Sequence, residues 1–428
     1  MSIVSTYQSI IKKANFYAFL ALIASLPFPM PIIQVCWLVW IATWLLEFRF
    51  LHRENIRINR GIVFLSIGVM VWLIANMVSV LWANNTHEAW VTIGRYTSLL
   101  AIPVVGIFGV NSLYDGWKCI KILIISCLIS FGVYLFTHYW VTNAPLAMNK
   151  HSELYAAIDW LHMDELLLHI KHRMHYTNLL CMVFPCMVIA YRKIGLLPAI
   201  ITGLLLIADI IMTGSRIALI NLIIVGTITL CWFVLRHRKA WVKGLGVSIA
   251  VLVVAGGSVA GMYLHPRNAK IDLTQISELE DNTWTPTSEP RIAIWHTALE
   301  RPGDYLAHGV GVGNATDYMV SRYQDHGWAC YVHCRYSPHN QFLSTCIELG
   351  IAAAILFALF WLCLPFCFQG TARYWALCLV GICIPSMMTD VLLGGLEGIV
   401  FVVVMMTIGW LLSNRDTMIG FKTDTERE

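Results

Sequence analysis

Apolar runs close to 20 residues long recur from near the start of this chain almost to its end, and they restrict what it can fold into more than any other feature. A helix of about 20 apolar residues crosses roughly 30 Å of hydrocarbon. Hydrophobic residues make up 58% of the 428 positions and charged residues 13%, where a soluble chain carries about 25% charged. Inside lipid every backbone polar group needs an internal partner, which helices or closed barrels supply, and runs of this length suit helices. The expected fold class is all-α: a polytopic integral membrane protein of about twelve transmembrane helices.

The runs place spans at 14–29, 31–47, 61–83, 92–110, 119–138, 175–191, 195–213, 215–235, 244–264, 340–364, 373–389 and 394–412. The first follows Lys12 and Lys13 but lacks a small-residue cleavage site. A second run, broken by Pro27, Pro29 and Pro31, follows at once, so the pair reads as a retained helical hairpin rather than a signal peptide.

Lys and Arg collect in the segments facing the cytoplasm. With the N-terminus inside, the inner segments hold Lys12, Lys13, Arg49, Arg53, Arg57, Arg60, Lys118, Arg192, Lys193, Arg236, Arg238, Lys239, Lys243, Arg373, Arg415, Lys422 and Arg427. The short outer turns at 84–90 and 390–393 hold none, so both termini are expected on the cytoplasmic side. Two outer segments, 139–174 and 265–339, are long enough to cross regardless of charge. The expected organisation is spans one to nine over 1–264, an outer loop over 265–339 carrying the functional residues, three further spans over 340–412, and an inner tail over 413–428. Helical spacing in "RIAIWHTALE" (291–300) marks that loop as partly helical. A net charge of +4 is too small to point to nucleic acid.

The ionisable residues on the outer side carry the candidate chemistry. Arg216, in "MTGSRIALI", lies at a tight turn between two spans, where an arginine snorkels to the headgroups or faces an aqueous cavity. Arg291 opens the amphipathic "PRIAIWHTALE" after a helix-start signal, with a surface pairing to Glu289 or Asp281 as the plain alternative. Arg173 belongs to a basic cluster with His169, Lys171, His172 and His175 that suits phosphate, whether of a substrate or of lipid heads. His339 and Asn340 sit in "SPHNQFLSTCIELGI", where a loop enters a span at Pro338. A neutral imidazole there can accept the proton of an attacking hydroxyl. Glu348, nearly opposite His339 on that helix, reads as a buried structural partner for an outer arginine or a neighbouring helix. Arginines suit a pyrophosphate and a histidine suits a hydroxyl nucleophile, so a lipid pyrophosphate donor and an alcohol acceptor meet both demands.

Cys330 and Cys334, in "HGWACYVHCRYSPHN" (326–340), are the two cysteines placed in the outer loops. In an oxidising compartment they read as a disulfide that stiffens the approach to His339. Zinc held with His326 and His333 stays open, although the spacing is not a familiar one.

Four elements in order, "GSR" (214–216), "PRIAIWHTAL" (290–299), "GVGVGN" (309–314) and "HNQFLSTCIELG" (339–350), resemble the signatures of the O-antigen ligase and polymerase superfamily, over roughly residues 170–360. The resemblance implies a glycosyltransferase of the bacterial inner membrane, multi-pass, with its active site facing the periplasm. It implies that a glycan passes from undecaprenyl pyrophosphate to a sugar hydroxyl of lipid A core, in lipopolysaccharide biosynthesis, with no metal and no other cofactor. Arg216, Arg291 and Arg173 would bind the donor pyrophosphate, His339 would act as catalytic base, and Asn340 and Glu348 would support it. An O-antigen or exopolysaccharide polymerase, or a protein O-oligosaccharyltransferase, would share donor and site; the length of 428 residues leans towards ligase. From another class, a lipid-linked sugar transporter would place its polar groups near the bilayer midplane. Only Asp209 and Glu348 stand out there, and a one-sided site favours an enzyme.

Overall fold

The computed structural model describes residues 3–48, 60–108, 110–142, 172–213, 215–235 and 290–413. Every regular element among them is helical. The helices are α1 Ile3–Ser25, α2 Met30–Phe48, α3 Arg60–Ser79, α4 Thr86–Tyr96, α5 Ala101–Phe108, α6 Gly116–Thr142, α7 Arg173–Ile194, α8 Leu196–Met212 and α9 Arg216–Leu235. They continue with α10 Pro290–Glu300, α11 Ala315–Asp325, α12 Ala329–Cys334, α13 Gln341–Leu349, α14 Ile351–Cys363, α15 Gly370–Thr389 and α16 Leu396–Ser413. Seven stretches, Met30–Phe48, Gly61–Trp82, Gly116–Thr137, Arg173–Tyr191, Arg216–Val234, Gly370–Thr389 and Leu396–Ser413, are long and apolar enough to cross a membrane. Leu196–Met212 and Ile351–Cys367 are shorter apolar helices. The span expected at 244–264, the start of the long loop and the basic residues at 49–57, 236–243 and 415–427 lie outside the described residues, so the count of twelve is not established.

Two expected spans are broken, each for a local reason. The run at 92–110 divides into α4 and α5 around a 3-10 turn, Thr97–Leu100. The first helix, α4, carries the polar residues Thr86, His87, Glu88 and Arg95, and Asn85 caps it by accepting the Glu88 amide at 3.2 Å. The run at 340–364 breaks at Gly350, whose φ of +87° only glycine adopts freely. A Cβ at Gly350 would lie 2.9 Å from the Ala307 carbonyl oxygen. His339 therefore precedes a nine-residue helix, α13, rather than a full membrane helix.

The bundle is centred on α16, buried at every position from Gly398 to Leu412. A helix buried on all sides has no polar face to show, and its sequence carries none over that stretch. Inside the bundle, Asn221 of α9 donates to Asn178 of α7 and to Ser386 of α15, each at 3.0 Å, and Ser386 donates to Asn178 at 2.8 Å. Amide and hydroxyl groups have no water to turn to in hydrocarbon, so such a closed triad fixes three helices in register, each bond stabilising by about 0.6–2 kcal/mol.

The helices α10 to α12 form a layer over one end of the bundle, with its own small core. Ala293, Ile294 and Ala298 pack there against Tyr305, Met319, Tyr323 and Tyr331, and Cys346 and Ile347 of α13 close it. Buried Arg322 pairs with Glu300 at 3.2 Å and with Asp325, while His326 meets Glu300 at 2.8 Å. Burial works against ionising Glu300, yet His326, Arg322 and His296 outweigh it and hold the carboxyl below its ordinary value.

The "GVGVGN" turn ties this layer down. The Val310 amide donates to the Ile347 carbonyl at 2.8 Å, the Gly311 amide to that of Glu348 at 3.0 Å, and the Val312 amide to the Ser79 hydroxyl at 3.0 Å. Gly309, with φ +74°, comes so close that an added Cβ would stand 2.2 Å from the Glu348 carbonyl oxygen. Gly309→Ala is therefore expected to destabilise the protein by about 2 kcal/mol or more. Gly94→Ala, in a helix where an added Cβ meets nothing within 4 Å, is expected to stabilise slightly. Thermal unfolding in detergent micelles checks both, and equal shifts would contradict the tight packing of the turn.

Candidate active site

Three helix ends come together at the end of the bundle under the α10–α12 layer. Asn178 lies five residues after Arg173, Asn221 five after Arg216, and Ser386 three before Thr389. At a rise of 1.5 Å per residue, the starts of α7 and α9 stand about 7.5 Å above the polar triad and the end of α15 about 4.5 Å above it. Arg173, Arg216 and Thr389 thus lie within about 3 Å of one another along the bundle axis. Arg216, which heads α9, is half-buried.

At this level His339 meets a partner that the sequence did not reveal. Its Nδ1 lies 3.2 Å from Oδ1 of Asp390, the residue that ends α15. A carboxylate can only accept, so Nδ1 carries the proton and Nε2 of the neutral ring keeps its lone pair. The pair is partly shielded, with side chains 29% and 18% exposed. Oδ2 of Asp390 faces His172 Nε2 at 3.6 Å. Burial alone would raise the Asp390 carboxyl, but the hydrogen bond and charge of His339, the charge of His172 and the Val391 amide together bring it from 3.8 down to about 2. The carboxylate is therefore permanently charged near neutral pH and can stabilise an imidazolium formed beside it.

Four further contacts hold this pair. Asn340 caps α13 by accepting the Leu343 amide at 3.0 Å. Gln341 accepts the Leu393 amide at 2.9 Å, fastening the turn after Asp390 to the start of α13. Arg291 donates from Nε to the Thr389 carbonyl at 3.1 Å. Trp295, one turn along α10, donates from Nε1 to the Pro338 carbonyl at 3.0 Å.

Of the residues expected from the sequence, His339, Asn340 and Arg291 thus lie together, and Arg173 directly follows His172. Glu348 does not. It is buried as expected, and its carboxyl group accepts the backbone amides of Gly313 and Ala315, so of the two expected partners it meets a neighbouring helix start and not an outer arginine. The reason is positional: α13 turns that face towards the start of α11, away from the helix ends. Cys330 and Cys334 stand one turn apart on α12 as free thiols, so the expected bridge is not formed in this structure. Burial, and then the neighbouring Cys334, raise the Cys330 thiol above its ordinary value. His326 is taken up by Glu300 and stacks on Trp328 with ring centroids 4.8 Å apart, away from the two cysteines. Among the described residues no three His, Cys, Asp or Glu side chains converge as metal ligands would.

Asp390 and the roles of Gln341, Trp295 and His172 are what sequence reasoning missed. One signal was available: between Arg373 and Glu397, Asp390 is the single charged residue. A lone carboxylate at the end of a span is costly unless it has work to do.

In class, the chain is an all-α polytopic membrane protein with a histidine–carboxylate pair and arginines at one end of its bundle. Residues 201–358 match the model of the family described as O-Antigen ligase, so that segment is similar to this family. No curated protein matches the chain. The matched segment includes Arg216, Arg291 and His339 and stops before Asp390. The family implies glycosyltransferase-type enzymes acting with lipid-linked glycans at a membrane.

Replacing Asp390 by Asn removes the charge and leaves the imidazole free to take the other tautomer, so turnover is expected to fall by about a hundredfold or more. The stability that Asp390 contributes also has a definite pH range. Its folded value is depressed, so the contribution is full above the unfolded carboxyl's value of about 3.9 and is lost as pH falls through about 2. The melting-temperature gap between wild type and Asp390→Asn is expected to be constant near neutral pH and to close between about pH 4 and pH 2. A gap that closes already near neutral pH would show that the carboxylate is not held as described.

Proposed function

We propose that this protein is an O-antigen ligase, transferring a glycan from undecaprenyl pyrophosphate to a sugar hydroxyl of lipid A core at the periplasmic face of the inner membrane. The observation that carries this reading is the bond between His339 Nδ1 and Asp390 at 3.2 Å, beside the guanidinium of Arg291 and at the level of Arg173 and Arg216. His339 Nε2 takes the proton of the acceptor hydroxyl, and the freed oxygen attacks the anomeric carbon of the donor sugar. The bond from that carbon to the pyrophosphate oxygen breaks, and the lipid pyrophosphate leaves with the electron pair. Asp390 faces the imidazolium as it forms.

Arg291, anchored through Nε, has no further partner for its two Nη groups among the described residues. A forked pair of donors held in this way suits pyrophosphate oxygens and neutralises the charge that builds on them as the bond breaks. Arg216 and Arg173 supply further positive charge at the same level. Both substrates are lipids, and a site at the helix ends lets each reach it from the bilayer.

Complementation of a strain that lacks its ligase tests the reading. The wild-type chain is expected to restore polymer attached to core, whereas His339→Ala, Arg216→Ala and Arg291→Ala, made at normal level, are each expected to lose about a hundredfold or more of transfer. Transfer by His339→Ala at the wild-type rate would refute the mechanism. A wild-type chain that instead lengthens core-plus-one-repeat into polymer in a polymerase-deficient strain would mark a polymerase.

A further inference from the structure

The two members of the histidine–carboxylate pair come from distant parts of the chain. His339 ends a loop that enters α13, and Asp390 ends α15, 51 positions later. Their bond has a useful direction only if both backbones are held. His339 makes this demanding, because its φ of +45° lies in the left-handed region. A residue without glycine's freedom keeps that conformation only where its surroundings impose it, at a strain of order 1–3 kcal/mol. Local bonds are too weak to do so: the His339 amide reaches the Ser337 hydroxyl at only 3.5 Å.

The hold comes from α10. Arg291 and Trp295 are four residues apart and so share one face of the helix. The Arg291 bond takes the carbonyl of Thr389, the residue before Asp390, and the Trp295 bond takes the carbonyl of Pro338, the residue before His339. One helix face thus grips the peptide preceding each member of the pair. The neighbouring face of α10 is rigidly seated, with Ala293, Ile294, Thr297 and Ala298 all at 0% exposure. Trp295 is itself partly buried and locked by packing, so its N–H points where the scaffold aims it. Proline at 338 cannot donate a backbone N–H, which leaves its carbonyl as the backbone group by which that residue can be held.

We propose that Trp295 is a positioning residue for glycosyl transfer: through the Pro338 carbonyl its indole N–H holds the His339 backbone, and so sets the aim of Nε2 at the acceptor hydroxyl and of Nδ1 at Asp390. The proposal rests on the reading of His339 as the base. It assigns Arg291 two tasks, with Nε holding the Asp390 side of the pair and the Nη groups facing the donor. It assigns Trp295 one task, which touches neither substrate.

The test uses the full-length protein in nanodiscs, with a polyprenyl-pyrophosphate-linked glycan as donor and, in parallel, lipid A core and a second molecule of the lipid-linked glycan as acceptors. Trp295→Phe keeps an aromatic ring and removes the N–H. It is expected to lower kcat by about tenfold to a hundredfold on whichever acceptor wild type uses, with KM for donor and acceptor changed by less than about twofold. Should Trp295→Phe fold poorly, 3-benzothienylalanine placed at 295 keeps the shape of the indole without its N–H and is expected to reproduce the loss. In a His339→Ala background either replacement is expected to lower the residual rate no further, because both act through the same imidazole.

An unchanged kcat for both replacements overturns the proposal. So does a kcat loss that appears in full in the His339→Ala background, since that marks a purely structural role. Wild type that uses only the lipid-linked glycan as acceptor counts against the ligase reading, and the Trp295 comparison is then made on that reaction. Wild type that transfers to neither acceptor overturns both readings.

Discussion

The hydrogen bond between His339 and Asp390 is the interaction around which this end of the bundle is arranged. A histidine free to rotate offers either nitrogen to a substrate, in either tautomer. A histidine against a permanent carboxylate offers one nitrogen, with its lone pair outward. That bond joins the start of α13 to the end of α15, and each neighbouring contact preserves it. Gln341 holds the turn after Asp390, α10 holds the residue before each partner, and Asn340 fixes where α13 begins.

Beneath the pair, the membrane helices act as a levelling device. The Asn178–Asn221–Ser386 triad closes only when α7, α9 and α15 stand in one register, and that register brings the arginines at the heads of α7 and α9 within about 3 Å of the level at which α15 ends. Above it, the α10–α12 layer is pinned at the glycine turn, where backbone approaches backbone too closely for any side chain. Glu348 takes part in this pinning, accepting the Gly313 and Ala315 amides at the start of α11. The layer can therefore brace the site from above because it is itself fastened from below.

Much of the candidate site was legible in the sequence because its members are chemically out of place. An arginine at the boundary of an apolar run, or a histidine where a polar loop enters one, stands out without any knowledge of the fold. Arg173, Arg216, Arg291, His339 and Asn340 were all visible in this way. Asp390 is the one charge in its stretch, but its pairing with a histidine 51 positions away is not legible from that alone. Glu348 was read from helical phase alone, which states which face it occupies and not what that face meets.

The sequence by itself determined that the chain is a helical membrane protein with arginines and a histidine at the ends of its apolar runs, because hydropathy and the cost of burying charge act residue by residue. Tertiary structure decided what depends on bringing distant segments together. It divided two apolar runs into shorter helices, at Gly350 and at the 3-10 turn between α4 and α5. It gave Glu348 to the glycine turn, and it placed Asp390 against His339 from 51 positions away. Pairings of this kind leave no periodicity in the chain; they exist only once the helix ends are levelled and the outer layer is docked on them.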